Sequence, residues 1–95
     1  MKYQVTKHIK GNEHPVLKYL EEYTYLFNEV DYSDLTRTTE KLFETLQCLT
    51  REFFKCNKRL FNGHGKVEFD LNTESDDQFI MISIAEQSII IKPAS

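Results

Sequence analysis

Apolar residues recur through the middle of the chain at alternating steps of three and four: Leu35, Leu42, Leu46, Leu49, Phe53, Cys56 and Leu60, with Thr39 filling the one missing step. This is the periodicity of one face of an α-helix, kept in phase for about seven turns. The pattern predicts a helix over 34–61, stopped by Asn62-Gly63 and carrying Lys55, Lys58 and Arg59 near its negative end. Upstream, Val16, Leu20, Tyr23, Phe27 and Val30 repeat at four and three and predict a first helix over 14–29. Asn12 is its expected N-cap, Pro15 suits its first turn, and Glu13 suits the positive end of its dipole. Asp31-Tyr32-Ser33-Asp34 is a short polar connector with capping residues, which makes the two helices antiparallel neighbours.

Outside the helices the period falls to two. Tyr3, Val5 and Ile9 alternate with Gln4, Thr6 and His8 as a half-buried first strand, broken by Gly11-Asn12. Val67, Phe69 and Leu71 alternate with Glu68, Asp70 and Asn72, and 73–77 is a polar turn. Residues 79–84 are apolar on both parities, which predicts a central strand covered over most of its length. Glu86-Gln87 then makes a tight connection to a strand over 88–92, and Pro93 is expected to end the sheet.

The order β-α-α-β-β-β predicts a two-layer α+β domain. An antiparallel helix hairpin packs on one face of a mainly antiparallel sheet of about four strands. The pattern leaves open whether the first strand joins the meander at its edge or enters its middle. Residues 1–95 are read as a single domain, because a chain of 95 residues with 40% hydrophobic content has no room for a second core.

Element lengths set a further constraint. A helix over 34–61 would be about 42 Å long, against roughly 24 Å for the first helix and about 23 Å for a seven-residue strand. Since the connector joins the helices end to start, the overhang falls on the later half of the second helix. That half carries Leu49, Phe53, Phe54, Cys56, Leu60 and Phe61. Two arrangements satisfy it. Either the helix crosses the sheet diagonally, kinks or ends early near Phe54, so that the sheet covers everything, or Phe53, Phe54, Leu60 and Phe61 form a dimer or partner contact.

Charge changes the picture in one place. The net charge of −3 is mild, yet residues 66–95 hold six acidic residues and only Lys66 and Lys92 as cations. Glu68, Asp70, Glu74, Asp76 and Asp77 crowd one strand and the turn after it, where they would speed encounter with a basic partner. The same carboxylates also suit a solvated face that blunts a sheet edge. Arg51, Lys55, Lys58, Arg59 and Lys66 interleave with Phe54 and Phe61, a composition that can grip single-stranded nucleic acid. Helix-dipole complementation and local pairing, such as Glu52 with Lys55, explain those cations without a ligand.

The chemistry-bearing residues do not assemble into a reactive site. His8, His14 and His64 lack ligand spacing, and no C-x₂-C or H-x₃-H is present, so no metal and no cofactor are expected. Cys48 and Cys56 read as small core residues, about 12 Å apart along one helix and too far for a disulfide. Ser33 has no nucleophile elbow around it, and Gly63-His64-Gly65 follows a helix rather than opening one, unlike a phosphate loop. Glu68 and Asp70 would stand about 7 Å apart on an open face, without a pocket to shift a pKa. The expectation is therefore no enzyme. With no signal-peptide core at the N-terminus and no apolar run near the roughly 18 residues of a membrane span, the expected setting is cytoplasmic and off the membrane.

These readings converge on a non-catalytic protein-binding protein, with an immunity- or antitoxin-type inhibitor of a basic partner such as a nuclease toxin foremost. The alternatives are a homodimeric structural or regulatory adaptor built on the later half of the long helix, and a small nucleic-acid-binding protein using the cations around residue 55.

Overall fold

The computed structural model describes residues 2–27, 34–57, 66–74 and 77–94. Its elements are β1 (Lys2–His8), α1 (Pro15–Phe27), α2 (Leu35–Cys56), β2 (Glu68–Asn72), β3 (Phe79–Ile84) and β4 (Gln87–Ala94). The sheet is antiparallel throughout, in the order β1-β4-β3-β2, so the first strand joins the meander beside β4. Both helices lie against one face, α1 over β1 and β4 and α2 over β2 and β3. This is the two-layer α+β fold that the periodicities predict.

The core sits between the layers. Ile80, Ile82 and Ile84 of β3 and Ile89 and Ile91 of β4 are at most 2% exposed, and they meet Val16, Leu17, Leu20, Leu42 and Leu46 from the helices. Strand alternation explains the choice: successive side chains point to opposite faces, so only one parity of each strand reaches the helices. The stretch 79–84, apolar except for Ser83, is central within the sheet but covered on one face only. Its other parity, Phe79, Met81 and Ser83, is half-buried and points away from the helices.

Several boundaries differ from expectation. The β3–β4 connection is Ala85-Glu86 rather than Glu86-Gln87, so β4 begins at Gln87, which pairs with Ile84. The cap of α1 is His14 rather than Asn12: its Nδ1 accepts from the Val16 N–H at 3.1 Å, and its carbonyl accepts from Leu17 at 3.0 Å. Pro15 follows as the first helical residue, where a missing N–H costs nothing. Helix α2 ends at Cys56, because the Asn57 side chain donates to the Phe53 carbonyl at 2.8 Å while its backbone N–H turns to Phe54 at 3.3 Å. That spends the orphan carbonyls of the last turn on a cap instead of further helix. The expected stop at Asn62-Gly63 lies outside the described residues, as do Val30 and Leu60. Pro93 does not end the sheet: β4 continues to Ala94, and Pro93 lies opposite Tyr3. Ile91 is the last β4 residue paired with β3, so beyond it, among the described residues, β4 pairs with β1 alone and the absent N–H removes no bond to β3.

The shorter α2 leaves less to overhang. Twenty-two residues span about 33 Å, against about 20 Å for the thirteen of α1. Leu49, Phe53 and Phe54 are half-buried against the core, and Phe53 stacks on Tyr19 of α1 at 5.3 Å. The later half of α2 is therefore covered up to Phe54. Cys48 and Cys56, expected in the core, are both exposed. The buried line of α2 runs through Thr38, Thr39, Leu42, Leu46 and Thr50, which turns Cys48 to solvent, and Cys56 stands at the helix end.

Thr39, the gap in the apolar stripe, is fully buried at the centre of a polar chain. Its hydroxyl donates to Gln78 Oε1 at 3.0 Å, and Gln78 Nε2 donates to Thr36 at 2.9 Å. Because the single Thr39 hydrogen is spent on Gln78, the Tyr3 hydroxyl is the donor in its 2.8 Å bond to Thr39. The chain thus ties β1, α2 and the segment before β3 through one hydroxyl.

The β3–β4 hairpin closes through two residues, Ala85 and Glu86, with φ of 51° and 63°. Two central residues at positive φ are the sign pattern of a type I′ turn, which favours Asn-Gly, and each non-glycine residue there is strained. Replacing the pair with Ala85→Asn and Glu86→Gly is expected to stabilise the fold by about 1–2 kcal/mol, read as a higher urea midpoint at unchanged slope. The replacement also removes the Glu86–Lys10 ion pair, which at 3.9 Å and high exposure offsets little of this gain.

Candidate functional site

The sheet face turned away from the helices is built by the parity that the core leaves over. Register places its residues in cross-strand rows. Asp70, Met81, Ile90 and Thr6 stand side by side across β2, β3, β4 and β1, and Glu68, Ser83, Ser88 and His8 form the next row. The face has an acidic edge, an apolar middle of Phe79, Met81 and Ile90, and a polar far side.

Four of the five acidic residues are described, along β2 and the segment after it. Glu68 and Asp70 are exposed on β2, an edge strand of the sheet. Glu74 and Asp77 are exposed in the following turn, where Asn72 Oδ1 accepts from the Glu74 N–H at 3.1 Å and the Asp77 N–H donates to the Glu74 carbonyl at 3.0 Å. Asp76 lies outside the described residues. Asp77 is 3.5 Å from Lys92, a half-exposed pair that offsets one of these charges. Glu68 also borders, with Lys66, a shallow depression of about 460 Å³ beside the β3–β4 turn.

On the other side of β2 the chain forms a groove. Thr50, Arg51 and Phe54 of α2 face Val67 and Phe69, with Lys66 at the rim, around a space of about 440 Å³. Phe69 is held by an edge-on contact with Phe43 at 6.0 Å. Arg51 and Lys55 are exposed on α2, and Lys55 sits 3.6 Å from Glu52, the local pair that the spacing suggests. Lys58 and Arg59, along with Leu60 and Phe61, lie outside the described residues. The described cations of this group are Arg51, Lys55 and Lys66, all exposed.

A cluster that sequence reading missed lies at the opposite edge. Lys7 of β1 points to the helix side, and its Nζ is 3.1 Å from Glu21 and 3.6 Å from Glu13, while the Tyr25 hydroxyl donates to Glu21 at 3.4 Å. The signal is faint in sequence, since Lys7 simply occupies an inward parity of β1. The hydrogen bond to Glu21 holds the Lys7 ammonium above its ordinary pKa of 10.5. Burial raises the Tyr25 phenol, with the Glu21 charge adding to it, and burial likewise raises Tyr3. All three folded values are raised, so their contribution is complete below the unfolded pKa values and is lost as pH climbs through the folded ones. Stability is thus expected to hold to about pH 9 and to fall from about pH 10 upward, with a shallower fall in Tyr3→Phe, as measured by denaturant titration across that range.

Among the described residues, no group of three or more His, Cys, Asp or Glu is placed to hold a metal ion, and no helix is long and apolar enough to cross a membrane. Comparison of the chain with protein-family models, curated proteins and solved structures returned no match.

Proposed function

We propose that this protein is a non-catalytic, cytoplasmic binding protein, an inhibitor of immunity or antitoxin type that blocks a basic partner such as a nuclease with its acidic sheet edge. The observation that carries this reading is the row Asp70–Met81–Ile90, in which exposed carboxylate on an edge strand adjoins half-buried apolar side chains. Carboxylates at a rim accelerate encounter with a positive surface, and an apolar centre supplies the area that holds the complex once formed. Nearby Glu74 and Asp77 extend the same charge around the turn.

The alternatives are less favoured. A dimer through the end of α2 would use Phe53 and Phe54, but both already pack within their own chain. A nucleic-acid interface would use Arg51 and Lys55, of which Lys55 is partly answered by Glu52.

The test is capture of partners from source cells at low salt, followed by calorimetry with each captured protein in purified form. A basic protein whose affinity falls with salt, and falls by about 100-fold or more on Glu68→Lys with Asp70→Lys, meets the expectation. Unchanged affinity after that double reversal would overturn it.

A further inference from the structure

The outer edge of β2 is where the acidic face and the apolar groove meet. Beyond β2 the sheet has no further strand among the described residues, so every second residue of Glu68–Asn72 directs its N–H and C=O outward. On the open face this edge carries Glu68 and Asp70. On the helix side it carries Phe69 and Leu71, the latter 37% exposed, and the groove against Thr50 and Phe54. The described groove residues come from α2 and from 66–69, with none from β3, so the groove opens at this edge rather than inside the sheet.

An added strand would meet those two sides with alternate side chains. Resting on the acidic-surface reading above, we infer that β2 is a strand-addition site for an extended segment of the basic partner in which cationic and apolar residues alternate. Its Lys or Arg side chains stand beside Glu68 and Asp70, while the intervening apolar ones enter the groove over Phe69.

The rim of the groove sets the register. Arg51 and Lys66 are exposed there, so a segment slipped by one residue would place its cations against two cations and its apolar side chains against two carboxylates. A second copy of this chain fits poorly. Edge-to-edge pairing of β2 with β2 keeps like faces together and would set Glu68 and Asp70 beside their own counterparts.

Two peptides of the same composition, each about eight residues long, test this: one alternating lysine with valine or leucine, the other with its lysines in one block. Fluorescence anisotropy with the whole protein should give at least about tenfold tighter binding for the alternating peptide. N-methylation of one set of alternate peptide amides should abolish binding, while methylation of the other set leaves it intact, because only one set faces β2. Binding of the alternating peptide should also be lost on Glu68→Lys with Asp70→Lys, both exposed positions, with folding checked by circular dichroism.

Equal affinities for the two peptides, or tolerance of both methylation patterns, would overturn strand addition while leaving the acidic-surface reading in place. Absence of salt-sensitive binding by either peptide would overturn both. A concentration-dependent mass in sedimentation that the alternating peptide reverses would assign the edge to a second copy and overturn the inference.

Discussion

Gln87→Leu is expected to cost about 3–5 kcal/mol, the largest loss among single substitutions of polar residues in this fold. The Gln87 side chain is 8% exposed and bonds three backbone groups of the β1–α1 connection. Its Oε1 accepts from the His14 N–H at 2.8 Å, and its Nε2 donates to the carbonyls of Asn12 at 2.7 Å and Lys10 at 3.2 Å. Leucine fills similar volume, so the change removes bonding rather than packing. Each group left without this partner loses about 1–3 kcal/mol, the figure for a buried polar atom, and the more exposed Lys10 carbonyl recovers part of it from water. The loss also reaches α1, because the same backbone leads into the His14 cap. Urea unfolding would show a lower midpoint, and amide exchange would quicken first across residues 10–18.

Thr39→Val is expected to destabilise by about 2–4 kcal/mol although it preserves shape and increases apolar content. The hydroxyl accepts from Tyr3 and donates to Gln78, so valine takes an acceptor from one buried group and a donor from another. Tyr3→Phe should cost less, about 1 kcal/mol, since Thr39 keeps Gln78 as its acceptor. The double variant should be less destabilised than the two singles summed, by about 1 kcal/mol, because the Tyr3–Thr39 bond is counted in both. Strict additivity would show that the bond carries no coupling, whatever its length.

Particular residues show how far sequence reading reached. Among the described residues the helices, β1 and β2 were legible from their periods and β3 and β4 from short apolar runs bounded by turn residues, and the acidic edge was legible because Glu68 and Asp70 share a parity of one strand. The polar core was not. Thr39 and Gln87 look like a flaw in a stripe and a turn residue, and their meaning depends on partners at separations of 36 to 77 residues. Helix ends were misplaced for a related reason. His14 and Asn57 cap through side-chain geometry that competes with better-known cap types nearby, Asn12 and Asn62-Gly63, and only the folded backbone decides between them. The groove beside β2 had no linear signal at all, because Phe54 and Phe69 meet only when α2 is laid across the sheet.

The proposed function turns on which surface would meet a partner, and hydrogen exchange on the purified complex reads that surface directly. Slowed exchange over residues 66–74, with the outward amides of β2 among them, is the predicted result. Slowing confined to residues 50–57 at the end of α2, with 66–74 exchanging as in the free protein, would contradict it.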